Sequence, residues 1–172
     1  MKTPDIKQNP HPTKRYEITI EIKGAPGPFD SVNGFALFQV DNVECAPVEP
    51  SAGVHLTPQK SVPLALTRVG NTYKGTFYGD QLLDENYFGL GVCHWALASA
   101  GVNLNVQKVV FSAGLVVNEI NAQKPLTTYY ANASYHDTKD QGGDTGTIGT
   151  PYILQHPTEF FSATLAVKED TP

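Results

Sequence analysis

The sequence predicts an all-β protein, an antiparallel immunoglobulin-like β-sandwich of about seven to nine strands. Short apolar stretches recur between turn residues, and no stretch shows the 3.6-residue apolar period of a long helix. The 15 glycines and 13 prolines also favour strands and turns. At 172 residues, the chain can bury most of its unfolded surface in one core. We therefore expect a flexible tether at residues 1–14 and a single sandwich domain at residues 15–170.

The first strand is predicted at residues 15–23, RYEITIEIK, because apolar and polar residues alternate there strictly. One face of this strand would point to the core and the other to solvent. A turn rich in glycine and proline follows, and a second strand is expected from Phe35 to Cys45. Residues 46–59 contain three prolines, which cannot donate to a strand ladder, so we expect a loop there.

Later strands are separated by recognisable turns. Gly70 and Asn71 tolerate positive φ and predict a hairpin between two short strands. Residues 87–99, YFGLGVCHWALAS, are apolar on both faces and predict a long central strand. Residues 132–151 form a polar, glycine-rich loop of a length that is usually functional or disordered. The remaining strands are predicted at residues 104–117, 125–131 and 159–168.

The two cysteines predict a disulfide. Along a strand at residues 87–99, alternation would place Cys93 and Trp95 on one face and His94 on the other, which argues against a reactive Cys–His pair. Cys45 is the only other cysteine. A disulfide between Cys45 and Cys93 would close the chain between them into a loop and stabilise the folded state by roughly 4 kcal/mol. The bond would indicate an oxidising compartment, the bacterial periplasm or the cell exterior. Two free, buried cysteines in a cytosolic protein remain the alternative.

The charge and the first residues restrict the possible partners and locations. A net charge of -5 without a cluster of Lys or Arg makes binding to nucleic acid or anionic lipid headgroups unexpected. The opening MKTPDIKQNPHPTKR lacks the apolar run of a signal peptide and contains three prolines. We interpret it as a tether in front of a domain whose export signal has been removed. A cytosolic protein with a frayed end would have the same pattern.

No motif predicts catalysis, a metal site or a cofactor. His-x-His, HExxH, paired CxxC, GxSxG and SxxK patterns are all absent. Asp137, Asp140 and Asp144 superficially resemble a calcium loop, but their spacing misses the alternate ligand positions. We therefore expect a protein that is not an enzyme. A small hydrolase would require carboxylates or histidines of the loops to converge.

Four segments resemble a group of bacterial lipoproteins that share a GVCHW strand. They are GVCHWALAS, VVFSAGL, TTYYANASY and FFSATLAVKE, and the resemblance covers roughly residues 15–169. Members are often encoded beside type VI secretion effectors, notably phospholipases, and are taken to be their periplasmic immunity proteins. The lipobox cysteine of such lipoproteins is missing here, so a lipidated N-terminus that tethers the protein to a membrane is implied but absent from this chain.

The resemblance implies an inhibitor that binds a lipase-type effector 1:1 and blocks its active-site entrance. Aromatic and acidic residues at the start of the long loop are the candidate contacts, because aromatic anchors and charge complementarity dominate interfaces. The candidates are Tyr129, Tyr130, Tyr135, His136, Asp137, Asp140 and Asp144. A secreted or periplasmic adhesion or carbohydrate-binding module is the alternative, since sandwiches with aromatic loops often have that role.

Overall fold

The computed structural model describes residues 4–137 and 142–170, and these ranges contain twelve strands and three short helices. The strands are β1 (Arg15–Lys23), β2 (Ser31–Val40), β3 (Val48–Glu49), β4 (Val54–His55), β5 (Gln59–Leu64), β6 (Thr67–Val69), β7 (Thr72–Tyr78), β8 (Trp95–Val106), β9 (Val109–Val116), β10 (Leu126–Ala131), β11 (Gly142–Asp144) and β12 (Phe160–Glu169). The helices are α1 (Val117–Asn121), α2 (Asn132–His136) and α3 (Pro151–Gln155), and single 3-10 turns occur at Val43–Cys45 and Pro157–Glu159.

Two five-stranded sheets form the body of the protein. The strand order is β10-β12-β1-β7-β6 in the first sheet and β11-β9-β8-β2-β5 in the second, and β3 pairs with β4 in a small separate hairpin. Pairs within the sheets are antiparallel except for β11 and β9, which are parallel. The predicted all-β sandwich is confirmed. The eight strands of six residues or more agree with the predicted number, and the four remaining strands have only two or three residues.

The core lies between the two sheets. Ile18 and Ile20 of β1 are completely buried, while Thr19 between them is partly exposed, as the strict alternation of the sequence predicts. From the second sheet, Phe111 meets Phe161 of the first sheet with ring centroids 5.1 Å apart. The bounds predicted for β1 are confirmed. The Gly70–Asn71 hairpin between β6 and β7 is confirmed as well, with Gly70 at φ +64°.

The first half of the predicted strand at residues 87–99 is wrong. The strand begins only at Trp95, because Gly89 and Gly91 adopt φ values of +76° and +117° that extended strands do not use. The expected strand end at Cys45 is also wrong, since Val43–Cys45 forms a 3-10 turn. Both cysteines therefore lie outside the strands, in segments that extend β2 and precede β8.

Part of the predicted tether makes hydrogen bonds to the domain. The Asn9 amide donates to Gln81 O at 2.8 Å, and the Leu83 amide donates to Lys7 O at 2.9 Å. The Asp80 carboxylate accepts from the Thr13 and Lys14 amides at 2.9 Å each. Residues 7–14 thus lie along the segment that follows β7.

Candidate functional site

The glycine-rich segment after α2 connects the edges of both sheets. Its strand β11 pairs with β9 and forms one edge of the second sheet, so that Gly142 lies beside Val109. A few residues later, the Thr147 and Tyr129 backbones exchange two hydrogen bonds of 2.8 and 3.0 Å, which attach the segment to β10 of the first sheet. We call residues 142–150 the edge strap. Because it is paired on both sides, the edge strap has a fixed path across the open edge of the sandwich.

The strap and α3 carry three exposed apolar side chains. Ile148, Tyr152 and Leu154 are 67%, 56% and 62% exposed. Tyr129 of β10 joins them, because a Cβ placed on Gly149 would lie 3.1 Å from Tyr129 Cε2 and 3.4 Å from Leu154 Cδ2. Tyr152 lies on the other side of the α3 turn, where its ring contacts His156. We call these four side chains the edge patch. Large apolar side chains that are exposed on an ordered segment are candidates for contact with a partner.

Local hydrogen bonds hold the edge patch in place. Thr150 caps α3 by accepting from the Ile153 amide, and Pro151 stands at the first helical position, where no amide donor is needed. His156 donates from Nδ1 to Tyr152 O at 2.7 Å, and the two rings stack with centroids 4.1 Å apart. The Tyr152 hydroxyl donates to Glu159 at 3.1 Å, which raises the pKa of Tyr152.

A groove of about 340 Å³ runs beside the patch where the strap crosses the sheet edge. Phe35, Leu126 and Ile148 give it an apolar lining, and Thr145 and Thr147 supply hydroxyl groups. Ile148 is the residue that the groove shares with the edge patch. An apolar side chain of a partner would fit there next to Ile148.

The two adjacent tyrosines predicted as contacts have opposite environments. Tyr129 is partly exposed and belongs to the edge patch. Tyr130 is 1% exposed, lies against Phe111 and Phe161, and donates to Ser112 O at 2.7 Å. Burial raises the pKa of Tyr130. Its assignment as a contact residue is corrected, because it is a core residue and offers no surface to a partner.

The other predicted contacts are divided between structural and exposed positions. Tyr135 packs on Phe29 with ring centroids 5.9 Å apart and donates to Pro28 O, so it anchors α2 to the turn before β2. His136 is exposed beside it.

Two of the three acidic candidates, Asp137 and Asp144, lie on either side of the residues that the structure does not describe. Asp137 directly follows α2 and is partly exposed. Asp144 accepts from the Gly146 amide at 2.8 Å and supports the strap. Asp140 lies outside the described residues. Among the residues that are described, no group of three His, Cys, Asp or Glu side chains could hold a metal ion.

Three residues of the edge patch were missed by sequence reasoning. Ile148, Tyr152 and Leu154 come after the aromatic run on which the prediction was based. A signal was present, because large apolar residues recur there within a polar, glycine-rich segment. Thr150 followed by Pro151 is also a helix-start pattern, which predicts an ordered turn at this place.

The predicted disulfide between Cys45 and Cys93 is confirmed. It lies in a small second cluster with Val40 and Ala46, and Phe88 packs against it. Val40 pairs with Trp95, so the bond joins extensions of neighbouring strands in one sheet. This differs from the cross-sheet bridge of immunoglobulin domains. A disulfide persists in an oxidising compartment, which is where we expect this protein.

A second cavity of about 500 Å³ lies next to Trp95. Tyr16, Leu82 and Leu97 contribute apolar walls, and Lys14 lies at its margin. The carboxylates of Asp80 and Asp84, which also line it, are both engaged by hydrogen bonds to nearby backbone and side-chain donors. The lining of this cavity is therefore mixed, with polar and apolar surface in similar amounts.

Comparison with protein-family models, with curated proteins and with solved structures finds no match. Within residues 4–137 and 142–170, no helix is long and apolar enough to cross a membrane. The geometry of the surface, together with the sequence resemblance, is thus the basis on which a function can be proposed.

Proposed function

We propose that this protein is a non-catalytic inhibitor that binds a lipase or phospholipase effector of type VI secretion and blocks its active-site entrance. The observation that carries the proposal is the edge patch, with Ile148, Tyr152 and Leu154 exposed on an ordered segment. The resemblance of the GVCHW segment to immunity lipoproteins supports the choice of partner. The complex would contain one inhibitor and one effector.

The order of the patch favours tight binding. A surface segment whose backbone is already ordered loses less conformational entropy on association than a flexible one. Backbone pairing of Thr147 with Tyr129 and the cap at Thr150 provide this order before a partner arrives. Tyrosine is also among the residues most often found as interface anchors. The patch therefore has both the chemistry and the rigidity of an inhibitor surface.

The chemistry of a lipase entrance fits this surface. An enzyme that accepts acyl chains presents an apolar opening, and an apolar patch would cover it with a gain of buried surface. Ile148 and Leu154 would enter or cover such an opening, and Tyr152 could keep its hydroxyl at the polar rim. His136 and Asp137, at the end of α2, are the proposed polar contacts beside it.

The location we propose is the periplasm, with a lipid anchor in the native form. The Cys45–Cys93 bond supports an oxidising compartment. The anchor rests on the resemblance alone. Fractionation of cells that express the native gene, combined with labelling by radioactive palmitate, tests both parts. Recovery of an unlabelled protein in the cytosol would contradict them.

Co-purification with the lipase encoded beside the gene tests the binding. The variant Tyr152→Ser with Leu154→Ser should weaken the affinity about a hundredfold, because two exposed anchors are lost. Val69→Ser with Val116→Ser is the matched control, since these side chains are 67% and 55% exposed on other strands. The control should retain its partner. Equal affinity of both variants would reject the edge patch as the interface.

A carbohydrate-binding module is the second candidate, favoured by the cavity beside Trp95. Aromatic rings that line an open cavity suit the apolar faces of sugar rings. Binding of purified protein to a glycan array, lost on Trp95→Ala but retained on Tyr152→Ser, would support this alternative. Absence of glycan binding together with capture of the lipase would reject it.

A further inference from the structure

A second apolar surface, made of other residues, surrounds the disulfide. We call residues 41–58 and 84–94 the disulfide tip. Five of its aliphatic side chains are among the most exposed large apolar groups of the described chain: Val48 (45%), Val54 (60%), Leu56 (36%), Leu90 (56%) and Val92 (46%). The proposed lipase interface does not use these residues, so a role of the disulfide tip in binding is independent of that proposal.

The two segments of the tip are held together closely. The Cα atoms of Cys45 and Cys93 are 5.3 Å apart, Val92 adjoins one cysteine and Val48 is three residues from the other. Since a chain spans at most about 3.6 Å per residue, Val48 and Val92 lie within about 20 Å of each other. The Leu56 amide donates to Pro47 O at 2.9 Å, which folds Leu56 back against the same loop.

Hydrogen bonds add to the covalent link. The Asn42 side chain donates from Nδ2 to Val92 O at 2.7 Å and accepts at Oδ1 from the His94 amide at 2.7 Å. The Asp41 amide donates to His94 O at 3.0 Å. Three contacts thus connect residues 41–42 with residues 92–94. The aliphatic groups are presented on a framework that needs little ordering when a partner binds.

Among Asp, Glu, Lys and Arg, the chain segments that form and flank this surface contribute only carboxylates, and Lys7 of the N-terminal segment reaches one of them. Residues 41–59 and 75–107 contain no Lys or Arg. They contain six carboxylates, those of Asp41, Glu44, Glu49, Asp80, Asp84 and Glu85. Asp80 and Asp84 are engaged by donors of the chain, and Glu85 pairs with Lys7 at 2.9 Å. In the described structure, Asp41 and Glu44 are exposed carboxylates beside the aliphatic groups.

We infer that the disulfide tip docks a cationic amphipathic segment of a partner protein, such as a helix with Lys and Arg beside Leu. Apolar side chains of that segment would cover Leu90, Val92 and the β3–β4 hairpin, and its cations would face Asp41 and Glu44. Charge complementarity of this kind directs encounter and orientation. Anionic membranes are disfavoured as occupants, because the carboxylates would repel lipid phosphates.

A synthetic helix of Lys and Leu, about 18 residues long so that it forms a helix, is the probe. Its counterpart with Glu in place of every Lys is the control peptide. Binding is measured by fluorescence anisotropy and mapped by amide chemical shifts of the labelled protein. The Lys peptide should bind about tenfold more tightly than the Glu peptide, and more weakly in about 0.3 M salt. The largest shifts should lie at residues 41–58 and 84–94.

Two pairs of variants separate the apolar and the charged contributions. Leu90→Ser with Val92→Ser should weaken binding of the Lys peptide about tenfold. The control, Val69→Ser with Val116→Ser, should stay within about twofold of the parent protein. Asp41→Asn with Glu44→Gln should reduce the salt dependence, whereas Glu17→Gln with Glu21→Gln on the outer face of β1 should leave it unchanged.

Three results would overturn the inference. One is equal affinity for the Lys and Glu peptides. Another is a set of shifts outside the disulfide tip, for example at the edge patch. The third is binding of anionic phosphatidylglycerol vesicles with no binding of the Lys peptide, which would identify a lipid surface as the occupant.

Discussion

Cys45 and Cys93 form a disulfide with their Cα atoms 5.3 Å apart, at the point where the neighbouring strands β2 and β8 continue beyond the sheet. The bond lies outside the main core and fixes two loops that have only short elements of regular structure. Its effect should therefore be twofold. It stabilises the folded chain, and it gives the exposed disulfide tip a defined shape.

Removal of the bond should lower stability without abolishing the sandwich. For a sequence separation of 48 residues, the double variant Cys45→Ala with Cys93→Ala should lose up to about 4 kcal/mol of unfolding free energy. Urea denaturation of the two proteins measures this loss. Reductant should destabilise the parent protein and leave the double variant unchanged. An unaltered midpoint of the parent protein in reductant would contradict the assignment.

Gly101 and Gly114 face each other in the β8–β9 pair but differ in the space around them. A Cβ on Gly101 would collide with the backbone at Ala113 and with the Phe35 ring, whereas one on Gly114 meets only ordinary contacts, the nearest at 3.5 Å. Gly101→Ala should therefore cost about 2 kcal/mol or more, and Gly114→Ala less than about 0.5 kcal/mol. Thermal unfolding of both variants checks this order, and equal melting temperatures would show that β8 and β9 do not pair in this register.

Asp80 should connect the N-terminal segment to the domain in a pH-dependent way. Partial burial alone would raise the pKa of Asp80, but hydrogen bonds from the Thr13 and Lys14 amides outweigh it and lower the pKa. The stabilisation is thus present above the carboxyl's unfolded pKa and is lost as the pH falls through the lower, folded pKa. Asp80→Ala should cost about 1 kcal/mol at neutral pH, after allowance for solvent screening.

Hydrogen exchange provides the local readout for this variant. The amides of Asn9 and Leu83, which bond across the two segments, should lose protection in Asp80→Ala at neutral pH. Asp5→Ala is the control on the same segment. If protection is the same in all three proteins, Asp80 does not hold the segment in place.

His94 should titrate above the ordinary range of histidine. Its hydrogen bond to Asp84 at 3.0 Å raises the pKa, and the negative charges of Asp84, Asp41 and Glu44 act in the same direction. The stabilisation from this pair is complete below the unfolded pKa of about 6.5 and is lost as the pH rises through the folded pKa. NMR titration should show Asp84→Asn lowering the pKa of His94, and Glu21→Gln should not. No change in Asp84→Asn would exclude the ion pair.

The regular strands could be predicted because their sequence patterns are local. Residues 15–23 alternate without exception, so their pairing and their buried face follow from period two. The strand predicted at residues 87–94 is wrong for a related reason. Their uniformly apolar composition suits a central strand, and only the positive φ of Gly89 and Gly91 shows that the chain turns there. Glycine is compatible with either conformation, so the sequence leaves the choice open.

The candidate site was predicted in part. The length and composition of residues 132–151 indicate a loop that is functional or disordered. The pairing of the strap with both sheets, however, depends on contacts between residues that are far apart in the chain. Alternation along TTYYA places one tyrosine inside and one outside, without saying which. Tyr130 faces inward because its neighbours in the core are Phe111 and Phe161, and that neighbourhood exists only after the sheets have packed.

The most direct test of the proposed inhibitor is a titration of the adjacent gene's lipase with the purified protein, using an ester substrate. Activity should fall linearly and reach zero at one equivalent. The edge-patch variant, Tyr152→Ser with Leu154→Ser, should require a large excess, while Val69→Ser with Val116→Ser should behave like the parent protein. Full lipase activity in the presence of about a tenfold molar excess of the folded parent protein would contradict the account, because a tight 1:1 complex leaves little enzyme free at that ratio.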